Sequence, residues 1–145
     1  MTFVSLIRTN MCKANFPHRL KIVTVDDSPI ITQRLKSILT DMENIEFLGN
    51  ANNAVTALNM INKQNPNVVI LDIHLAEDLS QFNGIDLLIA LRKRYPQMKI
   101  IMLTNLTDPQ YRARCLALGA NYFFDKSNEF DRIPEALEQI ALLGS

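Results

Sequence analysis

Apolar residues cluster in five short runs along the chain, and between the runs they recur at helical spacing. Lys21 to Val25, Ile45 to Gly49, Asn67 to Leu71, Met98 to Leu103 and Asn121 to Phe124 predict strands. Val68-Val69-Ile70-Leu71 has no polar alternation, the pattern of a strand buried on both faces of a parallel sheet. The intervening segments predict helices. The first carries Ile31, Leu35, Ile38, Leu39 and Met42, with Ser28 or Asp27 as cap and Pro29 at its first position. The second carries Ala54, Val55, Leu58 and Ile61 and stops before Pro66; the third carries Ile85, Leu87, Leu88 and Leu91 after Gly84 and ends at Pro96. Asp108 as cap with Pro109 at the first position opens a fourth helix with Tyr111, Cys115 and Leu118, closed by Gly119; Ile133, Leu137, Ile140 and Leu143 mark the last.

Strands alternating with helices predict an α/β fold, a doubly wound five-stranded parallel sheet with helices on both faces. The expected strand order is the flavodoxin-like 2-1-3-4-5, which brings the ends of strands one, three, four and five together at one rim. No linker, repeat or biased tract divides the chain. Residues 1–20 lack periodicity and read as a flexible extension, leaving 21–145 as the domain; Met1 and Met11 are both eligible starts.

Fifteen basic and fifteen acidic residues cancel, so charge makes no case for nucleic acid or an anionic membrane. Phe3 to Ile7 is too short for a signal peptide, and no run is long enough to span a bilayer. Cys12 and Cys115 follow no metal or redox spacing, which favours a reducing, cytoplasmic setting.

Chemistry gathers where the strands stop. Strand one ends on Asp26-Asp27, strand three on Asp72, strand four on Thr104 and strand five before Lys126. Singly, each has a bland reading: a loop cap, a helix cap, a hydroxyl on backbone, a solvated lysine. Together on one rim, three carboxylates repel and call for a cation. Hard oxygen donors suit Mg²⁺, and an ammonium and a hydroxyl suit phosphate oxygens, the parts for moving a phosphoryl group onto a carboxylate.

From about Lys21 to Leu143 the chain resembles the receiver domain of two-component response regulators, of the chemotaxis-response-regulator-like fold, on Asp26-Asp27, Asp72, Thr104 and Lys126 in that order and spacing. The resemblance implies that Asp72 accepts a phosphoryl group from a phosphohistidine of a sensor histidine kinase or histidine phosphotransfer protein. It implies Mg²⁺ on Asp26, Asp27, Asp72 and the backbone carbonyl of His74. Lys126 would pair with Asp72 and then the phosphoryl group, Thr104 would follow the phosphate, and Phe123 stands where the family has its switch aromatic. The implied product is a signalling protein, not a turnover enzyme, whose changed surface binds a downstream protein target or passes phosphate on. Monomer and homodimer are both compatible.

The segment from Asp72 to Gly84 is longer than most receivers have and lacks their proline; Ser127 replaces another proline; Asn105 stands where a small residue is usual. Little sequence follows the last helix, so a stand-alone receiver is expected. Two rivals are a phosphorylation-independent interaction module and a haloacid-dehalogenase-like phosphatase. The phosphatase would need an aspartate two residues after Asp72, where His74 stands.

Overall fold

The computed structural model describes residues 19–143, so the expectations for residues 1–18, Cys12 included, lie outside the described residues. Five strands, β1 (Leu20–Val25), β2 (Ile45–Ala51), β3 (Val68–Leu71), β4 (Lys99–Thr104) and β5 (Tyr122–Asp125), form one parallel sheet in the order β2-β1-β3-β4-β5. Helices α1 (Pro29–Thr40), α2 (Ala54–Gln64), α3 (Gly84–Arg94), α4 (Pro109–Ala117) and α5 (Ile133–Leu142) alternate with them.

Successive strand residues point to opposite faces, and this two-residue period makes two cores. Val23, Val25, Val69, Leu71, Ile100, Met102 and Phe123 pack with α2, α3 and Cys115 of α4. Ile22, Ile70, Ile101, Leu103 and Phe124 pack with Leu35 and Leu39 of α1 and Leu137 and Ile140 of α5. Each fully buried Leu or Ile side chain contributes about 1.5–3 kcal/mol, so an aspartate at Leu88 or Ile101 would unfold its layer.

Local chemistry ends and starts the helices. Ser28 Oγ caps α1 through the amide of Ile31 at 3.4 Å. Asn53 caps α2 through Thr56, and Asn65 closes it in the left-handed region, at φ 50, just before Pro66. Asn83 and Asp86 make a reciprocal capping box at the start of α3. Asp108 makes no side-chain cap at α4, contrary to the sequence expectation; its carbonyl takes the Tyr111 amide at 2.9 Å instead. Two further apolar assignments fail: Val55 and Leu143 are exposed, at the first turn of α2 and just past the end of α5. Phe130 fills core space that the sequence pattern did not assign, from a short 3₁₀ turn, Phe130–Arg132, ahead of α5. No helix among the described residues is long and apolar enough to cross a membrane.

A candidate phosphoacceptor site at the sheet rim

Register builds the site. Val25 lies opposite Leu71, so the next residues, Asp26 and Asp72, leave the sheet side by side. Thr104 pairs with Asp125, which delivers Lys126 one step beyond the end of β4. Backbone bonds carry each strand's pairing past its end: Asp26 N–H to Ala51 O, Asp72 N–H to Val25 O and Lys126 N–H to Thr104 O, all at 3.0 Å.

Lys126 Nζ lies 2.7 Å from Asp26 Oδ2 and 2.6 Å from Asp72 Oδ2, and all three side chains are at most 6% exposed. Carboxylate oxygens of Asp26, Asp27 and Asp72 lie within 4.8 Å of one another. Asp27 is the exposed member, opening the cluster to water. Two buried carboxylates share one ammonium and the exposed Asp27 lies beside them, which leaves negative charge uncompensated at a rim where burying charge costs several kcal/mol per ion. That donor set fits a hard divalent cation.

The titration directions follow. For Lys126, burial is the largest single influence and favours the neutral amine, but hydrogen bonds and charges from Asp26 and Asp72 together outweigh it and raise its pKa. Burial pushes Asp26 up, against the Lys126 hydrogen bond and the Ser28 amide that donates to its Oδ1 at 2.8 Å. One lysine shared by two carboxylates stays charged but does not fully offset the desolvation of Asp26.

The site residues inferred from sequence separate into two groups. Asp26, Asp27, Asp72 and Lys126 converge. Thr104 is fully buried at the same rim, but its Oγ1 accepts from the Leu106 amide at 3.1 Å, so its hydroxyl is engaged with backbone. His74 is exposed, with its amide 3.4 Å from Asp72 Oδ1. Phe123 is buried in the α2/α3 layer, with the Arg112 guanidinium 5.8 Å from its ring centroid and donating to its carbonyl at 3.2 Å. The bland reading of Asp26 is also correct in part, because its Oδ1 holds the turn into α1 while its Oδ2 holds Lys126.

Two supports escaped the sequence reading. A Cβ on Gly84 would lie 1.9 Å from the carbonyl oxygen of Asp72 and 2.6 Å from Cα of Ile73, so only glycine lets α3 start against the Asp72 turn. The long segment after Asp72 is folded down rather than loose. The Asp78 carboxylate accepts from the Val55 amide at 2.9 Å, from the Ser80 amide at 2.9 Å and from the Ser80 hydroxyl. These bonds hold the Asp78 carboxyl below its usual range, the Ser80 side chain contributing most. Across the opening, Ser127 Oγ donates to Asn105 Oδ1 at 3.4 Å, joining two of the positions that depart from the usual receiver pattern.

Residues 22–138 match the response regulator receiver domain family. The transcriptional regulatory protein DegU of Brevibacillus brevis is 27% identical over 128 residues, covering 88% of this chain and 52% of that protein. A protein-glutamate methylesterase/protein-glutamine glutaminase of Trichodesmium erythraeum is 32% identical, covering 84% of this chain and 34% of that protein. Among solved structures, the response regulator domain of Thermotoga maritima CheB superposes with TM-score 0.74 at 26% identity, covering 88% of this chain and 99% of that one. The isolated REC domain of RcsB from Salmonella enterica serovar Typhimurium, with phosphomimetic BeF3-, gives TM-score 0.79 at 23% identity over 85% of this chain and 88% of that one, a likeness of fold. The chain spans about half the length of curated relatives such as DegU. The chain belongs to the response regulator receiver domain family.

Proposed function

We propose that this receiver accepts a phosphoryl group on Asp72 from a phosphohistidine of a sensor histidine kinase or histidine phosphotransfer protein. The observation that carries the reading is Lys126 bridging Asp26 and Asp72 beside the open carboxylate of Asp27. In the transfer, an Asp72 carboxylate oxygen attacks phosphorus, the phosphorus–nitrogen bond of the donor breaks, and the imidazole leaves with the electron pair and takes up a proton. Asp26, Asp27, Asp72 and the His74 carbonyl would hold Mg²⁺, which when bound neutralises charge on the phosphoryl oxygens.

Lys126 orients the Asp72 carboxylate before transfer and binds phosphoryl oxygen after it. The acyl phosphate adds nearly two negative charges and strong acceptor oxygens, drawing the Thr104 hydroxyl away from the Leu106 amide. Phe123 then rotates into the space released, which changes the surface formed by α4, β5 and α5 and with it the binding of a downstream protein target. Asn105, larger than the usual residue beside Thr104, slows that movement. The receiver signals through its partner and does not turn over a free substrate. Its balanced charge makes no electrostatic case for nucleic acid as its partner.

The test is incubation of the full chain with acetyl phosphate, with Mg²⁺ or with a chelator, followed by intact mass measurement. The reading expects one added phosphoryl group that requires Mg²⁺. An unchanged mass in both, or steady release of phosphate from added esters as a phosphatase would give, contradicts it.

A further inference from the structure

Asp26 has a partner that belongs neither to the acidic cluster nor to the sheet ladder. Thr24 and Asn50 lie opposite each other in register on β1 and β2. The fully buried Thr24 hydroxyl donates to Asn50 Oδ1 at 2.7 Å, and Asn50 Nδ2 donates to the backbone carbonyl of Asp26 at 3.1 Å. The polarity of this relay has one consistent solution. A carbonyl can only accept, so Asn50 must turn its NH₂ toward Asp26; its oxygen then faces Thr24, whose hydroxyl must donate.

With that bond, every polar group of Asp26 is held: the N–H by Ala51 O, Oδ1 by Ser28 N–H, Oδ2 by Lys126 and the carbonyl by Asn50. The carbonyl matters because it belongs to the peptide leading into Asp27. Rotation of that peptide would swing the Asp27 carboxylate and the Ser28 amide together, moving one member of the cluster and the support of another. The last ladder bond on this side, Asp26 N–H to Ala51 O, holds the peptide before Asp26 and not the one after it, so the ladder does not restrain this rotation.

We infer that Asn50, oriented by Thr24, is a positioning residue for the metal-binding carboxylates, holding the Asp26–Asp27 peptide so that both acids address one cation. The inference rests on the Mg²⁺ reading above. A simple clip between β1 and β2 would affect stability and leave metal affinity alone, so metal affinity is the readout that separates the two roles.

The experiment uses the full chain, its Asn50→Ala and Thr24→Val variants and the double variant, in amide-resolved Mg²⁺ titrations. Asn50→Ala should weaken Mg²⁺ about three- to tenfold, the scale of losing one hydrogen bond to a ligating turn. It should also shift the Ser28 amide resonance before any metal is added. Thr24→Val keeps the β-branched shape on the strand and provides the test even if Asn50→Ala folds poorly; it should weaken Mg²⁺ at least about threefold, in the same direction. The double variant should match Asn50→Ala, because Thr24 acts through Asn50. Additive losses overturn the orienting role of Thr24. Wild-type Mg²⁺ binding with every folded variant within about twofold of it, and an unmoved Ser28 amide, overturns the positioning role alone. A wild-type chain that binds no Mg²⁺ overturns the metal reading first and this inference with it.

Discussion

The two ends of the sheet each hold a cation, and their surroundings give them opposite characters. At the rim where the strands finish, Lys126 faces the carboxylates of Asp26 and Asp72. At the other end, Arg92 at the close of α3 meets neutral oxygens. It donates to Gly119 O at 2.7 and 3.1 Å, Met98 O at 2.7 Å, Asn121 Oδ1 at 3.0 Å, Pro96 O at 3.1 Å and Tyr95 O at 3.3 Å. A guanidinium presents five N–H donors in a rigid fork and does not give up its proton in proteins, so Arg92 works as a rivet between α3, β4 and the α4–β5 turn. Burial lowers its pKa without a charge partner, whereas Lys126 is held charged by its carboxylates. The difference teaches where chemistry can occur: neutral acceptors around a cation are satisfied, while excess carboxylates around one leave negative charge uncompensated, the condition from which the proposed metal and phosphoryl reading starts.

The comparison predicts opposite phenotypes. The largest effect is at the reactive end. Asp72→Asn should lose phosphoryl uptake entirely while keeping or slightly gaining stability, since an amide preserves shape and relieves repulsion. Paired uptake and urea-melt measurements check both halves, and uptake surviving in Asp72→Asn would remove Asp72 from its role. At the other end, Arg92→Ala should cost about 2–3 kcal/mol of stability, as several carbonyls lose their donor, while uptake at low temperature stays within about twofold. Equal damage to uptake and stability would erase the contrast.

How far the sequence reached follows the same division. Strand ends were legible because a buried apolar run must stop where it meets water, and here it stops on Asp26, Asp72 and Thr104 or just before Lys126. The rim therefore followed from periodicity and strand order. Arg92 was not legible, because all its partners but Asn121 Oδ1 are backbone oxygens, which carry no residue signature. Asp78 reaching Val55, and Thr24 reaching Asn50, join residues more than twenty positions apart, with no repeat or spacing to mark them. Val55 and Leu143 were misread for a different reason: helical spacing gives a face, but where the element ends decides whether that face is covered.

A smaller effect concerns Asp26 without metal. Its pKa is raised in the folded chain, so the native state holds the proton more tightly than the unfolded one, and this contribution to stability is lost as pH rises above the ordinary 3.8 through the raised value. Asp26→Asn escapes that loss. Its advantage over wild type in chelator should therefore grow as pH rises from the ordinary carboxylate range through the raised value, and then level off. Urea midpoints against pH measure it; an advantage that shrinks with rising pH would mean Asp26 is depressed, as in an ordinary ion pair.

The smallest effect on uptake is expected at Thr104. Thr104→Ala removes a hydroxyl now bonded to the Leu106 amide and should take up phosphoryl within about threefold of wild type. The amide shifts across α4 and β5 that follow phosphorylation should nevertheless shrink markedly. Identical shifts in the two proteins would uncouple Thr104 and Phe123 from the phosphoryl group.

The most direct test of the account is to locate the phosphoryl group. After acetyl phosphate and Mg²⁺, borohydride reduction converts an acyl phosphate to the alcohol, and peptide mass mapping finds the reduced residue. The account predicts the label at Asp72 and none at Asp26 or Asp27, dependent on Mg²⁺ and absent when Lys126 is replaced by Met. Reduction at Asp26 or Asp27, or none at any carboxylate in a chain that binds Mg²⁺, would contradict it.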